Sequence, residues 1–252
     1  MFQQLTPITK NIIILNVIVY ILANFVFSVD FMYSNFSAFF PTSPLFKSWQ
    51  IITHMFMHAA FQGGGIMHIA FNMLTLASFG PVLERFLGDR KFLILYFLSG
   101  FGALALNLAW EGYQINQIVQ YLYSSNVDIS SLRDGTDIIK NNLTNADIEI
   151  IFAKNDINSI FQQSLISRMV GASGAIFGVV AAFTALYPNA EMMIMFIPFP
   201  IKAKILLPIV IIGSLYLGIN NYGGIAHFAH IGGALVGYLL IKFWGRNRYR
   251  IN

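Results

Sequence analysis

Five polar positions stand out because they interrupt otherwise oily sequence. Ser173 lies within Gly171-Ala172-Ser173-Gly174-Ala175, His227 and His230 open the last apolar stretch, and His68 and Asn72 lie four residues apart in the second. Polar side chains inside membrane helices are expensive, and their default reading is functional. A hydroxyl beside an imidazole is the minimal nucleophile–base pair for acyl transfer. His68 and Asn72 share one helical face and offer an imidazole N–H and an amide to a developing oxyanion. The backbone N–H of Ser173, near a helix N-terminus, is a third donor. The chain has no Cys, which removes thiol catalysis, disulfides and cysteine–metal sites. No Asp or Glu falls inside the apolar spans given below, so no triad is completed. The base must then be oriented by packing, and Phe177, one turn from Ser173 on the same face, is the residue placed to stack on His230.

Each of these residues also has a plainer reading. Serine in a membrane helix commonly bonds back to a carbonyl, and small residues let helices approach closely. His68 and Asn72 can be interhelical glue, and His227, one turn outward of His230, competes for the role of base. The readings converge through spacing. Gly174 and Gly178 form a small-residue groove on one helix, as Gly233 and Gly237 do on another, and close contact between the two brings Ser173 to His230.

These residues must be positioned by helices in lipid. The 252-residue chain is 56% hydrophobic and only 10% charged, with a mean hydropathy of +0.65, whereas a soluble domain carries roughly 25% charged residues. Apolar stretches near the ~20-residue spanning length fall at 12–29, 66–83, 92–110, 169–187, 204–219 and 225–244, with Gly80–Pro81 and Pro208 interrupting the second and fifth. The first is too long, and too poorly followed by small residues, to be a removed signal peptide. Backbone groups in hydrocarbon must be paired internally, so the spans are predicted to be helices. Six spans put both termini on one side. Ten of the fifteen Lys and Arg lie at alternate helix ends on that side, which the positive-inside rule makes cytoplasmic. Spans two, four and six then run inward from the outer surface, and Ser173, His230, His68 and Asn72 fall at one depth. The connection 112–167 is the exception. It carries six acids against three bases and is read as a polar extracytoplasmic insert, with an amphipathic helix at 114–123. The basic pI of about 9.3 thus reflects anchoring beside anionic lipid, not a nucleic-acid footprint.

At this point the constellation resembles the rhomboid family of intramembrane serine proteases. The motifs are Gly-x-Ser-Gly around Ser173, Ala-His-x-x-Gly-x-x-x-Gly from Ala229 to Gly237, His-x-x-x-Asn at His68 and Asn72, and Trp49-Gln50 before Thr53-His54-Met55-Phe56-Met57-His58. The resemblance implies an all-α, six-helix membrane bundle, a single domain over 1–252, with a water-filled cavity opening outward. It implies Ser173 as nucleophile and His230 as general base, with His68, Asn72 and the Ser173 N–H as oxyanion donors. Phe177, Gly171 and Gly174 are the supporting residues. Substrates would be transmembrane proteins cut near the outer surface, with water as second substrate and neither metal nor cofactor.

Four departures from the family pattern are Gln50 in place of Arg, Phe177 where some members have Tyr, the glycine-rich 61–66 and the insert. His54 and His58 have metal-ligand spacing but lack a third ligand, so structural or cavity-lining roles are expected of them. The competing reading is a non-catalytic membrane protein, either a client-binding factor or a solute channel. The chain has both nucleophile and base and no internal repeat, which argues against both. The absence of a transit peptide and the simple loops point to a bacterial inner membrane.

Overall fold

A computed structural model describes residues 4–43, 45–124, 168–192, 200–220 and 227–248. Among them the chain is mostly helical. Helix α1 (Pro7–Ile21) continues into a π-helical turn (Leu22–Val26), followed by α2 (Val29–Phe36), α3 (Gln50–Thr53), α4 (Gly65–Leu87), α5 (Asp89–Ser124), α6 (Ser173–Leu186), α7 (Ala203–Ile219) and α8 (His227–Arg248). A two-residue antiparallel pair, β1 (Glu191–Met192) with β2 (Ile201–Lys202), lies between α6 and α7.

Four stretches are long and apolar enough to cross a membrane: Pro7–Val26, Gly65–Leu87, Asp89–Gln117 and His227–Gly245. Helices α6 and α7 are shorter apolar helices of 14 and 17 residues. Pro81 and Pro208 are accommodated within α4 and α7. Several boundaries differ from the sequence expectation, and two of them bear on the site. The fourth span, read from 169, becomes helical only at Ser173, because Met169 is paired with Ala38 in a β-bridge and Gly171 adopts φ +122°. The amphipathic segment at 114–123 is a continuation of α5, which runs unbroken for 36 residues, roughly 54 Å at the α-helical rise. The remainder of the expected insert, 125–167, lies outside the described residues.

Helix α6 is apolar on nearly every side and lies at the centre, with Ala175, Val179 and Ala182 almost fully buried. Such a helix belongs in an interior. The outer helices instead expose large apolar side chains, such as Ile209, Ile212 and Tyr216 on α7 and Leu235, Leu239 and Phe243 on α8. That inversion of the soluble pattern suits lipid as the surrounding solvent. The glycine faces meet as their spacing suggested. A Cβ at Gly233 would collide with the carbonyl oxygen of Gly174, and one at Gly237 with that of Gly178. Helix α5 closes the third side. Its Ala103 abuts Gly174, its Ser99 abuts Gly178, and its Gly102 meets Gly232 of α8.

The opposite end of the bundle is fastened by a carboxylate. Helix α1 begins with Pro7 and has no side-chain cap of its own, so its first amides need an acceptor. Glu84 of α4, 2% exposed, supplies it by accepting from the N–H of Ile8 (2.9 Å) and of Thr9 (2.8 Å), and from the hydroxyls of Thr9 (2.7 Å) and Thr6. Negative charge at a helix N-terminus is also favoured by the helix dipole. Thr9 packs against Gly80, which admits it by lacking a side chain.

Hydrogen bonds to charged groups are worth about 1.5–3 kcal/mol each. Glu84→Ala should therefore lower unfolding free energy in detergent by about 3 kcal/mol or more, and Glu84→Gln by less. Equal stability of all three proteins in denaturant titrations would contradict this account of the α1–α4 joint.

Candidate active site

Ser173 is the first residue of α6, and no side chain caps that helix end. Its Oγ lies 3.0 Å from Nε2 of His230, in the first turn of α8. The His230 ring stacks on Phe177, with centroids 4.2 Å apart and planes within 4°. One face of α6 thus carries the hydroxyl and, a turn below it, the plate that holds the imidazole. The competing base, His227, lies edge-on to His230 at 6.4 Å, and the nitrogen at hydrogen-bond distance from Ser173 belongs to His230.

On the other side stands His68 of α4. Its Nδ1 accepts from the N–H of Ala59 at 3.2 Å, which leaves Nε2 to carry the proton. That Nε2 and the Ser173 hydroxyl border one small space. A Cβ built on Gly171 would lie 3.3 Å from the former and 3.6 Å from the latter. Gly171 is needed twice over, for its φ of +122° and for that gap. Its own N–H is held by the carbonyl of His54 at 2.9 Å. Asn72 is buried one turn below His68, and its amide donates to the His68 main-chain carbonyl at 2.7 Å. One of its two N–H groups is therefore committed within α4. Gly174 contributes by letting α5 and α8 close in.

The segment between α2 and α4 supports this arrangement in ways that sequence reading missed. Buried Gln50, which departs from the family pattern, accepts from the Lys47 N–H (2.9 Å) and donates to the carbonyls of Ser34 (3.1 Å) and Leu45 (3.0 Å). Trp49 donates to the Asn35 carbonyl at 2.8 Å. Tyr33 donates to the carbonyl of His58 at 2.9 Å and carries the Arg168 guanidinium over its ring at 4.0 Å. The His58 ring meets that of His68 edge-on at 5.2 Å. Nothing in the spacing of Tyr33 and Gln50 announced these links, most of which run through main-chain groups. His54 and His58 each use Nδ1 locally, against the carbonyls of Gln50 and Phe56. Among the described residues no three His, Cys, Asp or Glu are grouped to hold a metal ion.

Burial pushes His54 and His58 down to about 4, with the neighbouring His68 adding to the effect at His58. Both are therefore neutral in the folded protein at pH 7. In the unfolded chain each takes up a proton near pH 6.5, so stability is fully present above that pH and falls as the pH drops towards 4. The melting temperature in detergent should decline across that window, and less steeply for His58→Gln. An identical slope for the variant would refute the assignment.

The chain matches the Rhomboid domain over residues 46–124 and 147–247. It is similar to RHOMBOID-like protein 4 of Arabidopsis thaliana, at 26% identity over 77% of this chain and 33% of the relative. It is similar to Rhomboid protease AarA of Providencia stuartii at 27% identity, over 69% of this chain and 49% of that protein. Rhomboid protein 1, mitochondrial, of Saccharomyces cerevisiae is 23% identical over 72% of this chain and 39% of its own length. The chain thus spans between a third and a half of these curated relatives. They come from plant, bacterial and mitochondrial settings, so the likeness assigns a membrane and no particular one. A helical bundle with lipid-facing apolar surfaces and a match over most of its length makes this chain an integral membrane protein that belongs to the rhomboid family.

Proposed function

We propose that this chain is an intramembrane serine endopeptidase that cleaves transmembrane proteins near the outer membrane surface, with Ser173 as nucleophile and His230 as general base. The observation that carries the reading is the 3.0 Å approach of hydroxyl to imidazole at the N-terminus of a buried helix. His230 takes the Ser173 proton as Oγ attacks the scissile carbonyl, and returns it to the departing amine. Water, deprotonated by the same imidazole, then releases the acyl group and restores the hydroxyl. The developing oxyanion meets the Ser173 N–H, unpaired within the helix as first-turn amides are, and the Nε2–H of His68. Asn72 serves as a third, more distant partner. Each such donor typically supplies about 3 kcal/mol of transition-state stabilisation.

The wider reading is a single rhomboid-like membrane domain over 1–252, with α6 and α7 completing six spans. The face rich in Lys and Arg, together with both termini, is cytoplasmic by the positive-inside rule, and a bacterial inner membrane suits that orientation. Relatives named as proteases, such as Rhomboid protease AarA, support the reaction class.

The direct test uses a tagged single-span substrate in proteoliposomes. Ser173→Ala should abolish its cleavage while leaving the melting temperature within a few degrees, and cleavage by that variant would sink the proposal. Phe177→Ala frees the imidazole to rotate and should lower kcat by about tenfold or more with little change in KM. Phe177→Tyr, which keeps the stacked ring, should recover most of the rate. A loss in Tyr equal to that in Ala would deny Phe177 its positioning role.

A further inference from the structure

The third span was expected to end at 110, which left Glu111 outside the membrane. Helix α5 in fact continues unbroken past Trp110 to Ser124 and carries that carboxylate on its wall. Glu111 is half-buried, and among the described residues its hydrogen bond is with Asn107, whose amide donates to it at 2.9 Å. Asn107 itself is buried. A half-buried carboxylate whose hydrogen bond, among the described residues, comes from a neutral amide can still accept a charge-assisted contact from a cation.

Its position follows from the packing of α5. Ala103 abuts Gly174, next to Ser173. Asn107 and Glu111 lie one and two turns further outward along the same side, about 6 and 12 Å beyond Ala103. On one flank Trp110 stacks on Phe228 of α8 at 4.2 Å. On the other, Gly112 meets the ring of Phe40, close to the Ala38–Met169 bridge. Glu111 therefore projects between the first turn of α8 and the strand leading into Ser173. Helical side chains lean towards the N-terminus of their helix, which for α5 is inward, towards the serine. The nearest cation of that strand, Arg168, is engaged over Tyr33.

We propose that Glu111, steadied by Asn107, forms a subsite that recognises a basic side chain of the substrate close to the scissile bond. This rests on the protease reading above and deepens it. An extended chain rises about 3.3 Å per residue, so a Lys or Arg two to four residues from the cut reaches the level of Glu111.

The test uses the full chain in proteoliposomes and a synthetic transmembrane peptide in which Lys, Gln or Glu is moved through the positions two to four residues either side of a small cleavable residue. Binding is measured on the Ser173→Ala protein. At one position the Lys peptide should bind about tenfold more tightly than its Gln counterpart, as a charge-assisted contact allows. That ratio should fall to about one in Glu111→Gln, and in Glu111→Lys the Glu peptide should become the tighter ligand. An unchanged ratio in Glu111→Gln overturns the proposal. So does equal binding of the Lys, Gln and Glu peptides to protein that retains Glu111, a comparison that needs no folded variant at 111. Cleavage by the protein that retains Ser173 is read separately. Peptides bound with the expected preference but left intact would count against the protease reading and for the subsite.

Discussion

The structure depends on the contact between two glycine-bearing faces at its centre. In lipid there is no hydrophobic force to draw helices together, so close packing of small residues has to do it. Gly174 and Gly178 of α6 meet Gly233 and Gly237 of α8 with no room for a Cβ between them. Only at that separation can a side chain as short as serine reach an imidazole on the neighbouring helix. A larger residue at Gly233 would push the helices apart and pull the hydroxyl away from its base without touching either. The Ser173–His230 distance is in this sense a consequence of backbone approach, and Phe177 then fixes the one freedom left, the rotation of the ring.

Side-chain hydrogen bonds to main-chain groups concentrate at two levels. At one end, Glu84 accepts from the first amides of α1 and ties α1 to α4. At the other, Gln50, Tyr33, His54 and His58 pair main-chain groups of an irregular connection. Backbone at membrane depth is tolerated where protein buries it, and here the irregular segment carries the carbonyl that holds Gly171. The serine lies between these layers, in the first turn of a helix whose one other side-chain hydroxyl, Thr184, is bonded back to the Val180 carbonyl at 2.9 Å. The Ser173 hydroxyl borders the same small space as Nε2 of His68.

Much of the site could be read from sequence, because topology alone aligns the depths of Ser173, His230 and His68. Once spans two, four and six run the same way, their outer turns must share a level, and the two glycine pairs say which faces meet. The stacking of Phe177 on His230 follows from the same spacing. What sequence could not supply was the geometry of main-chain partners. The start of α6 at Ser173 is set by a bridge from Met169 to Ala38 and by a positive φ at Gly171, neither of which hydropathy registers. The reach of α5 past Trp110 was hidden by the polar residues that follow it. Asn72 shares a face with His68, as the periodicity requires, yet periodicity does not say that its amide turns back to its own helix.

The central claim is that Ser173 is made nucleophilic by His230, and covalent labelling tests it most directly. Intact protein in proteoliposomes would be treated with a fluorophosphonate and its serines mapped by peptide mass spectrometry. The account predicts one adduct, on Ser173, lost when His230 is replaced by Ala and retained when His227 is. No adduct on Ser173, or labelling of Ser173 that persists without His230, would contradict it.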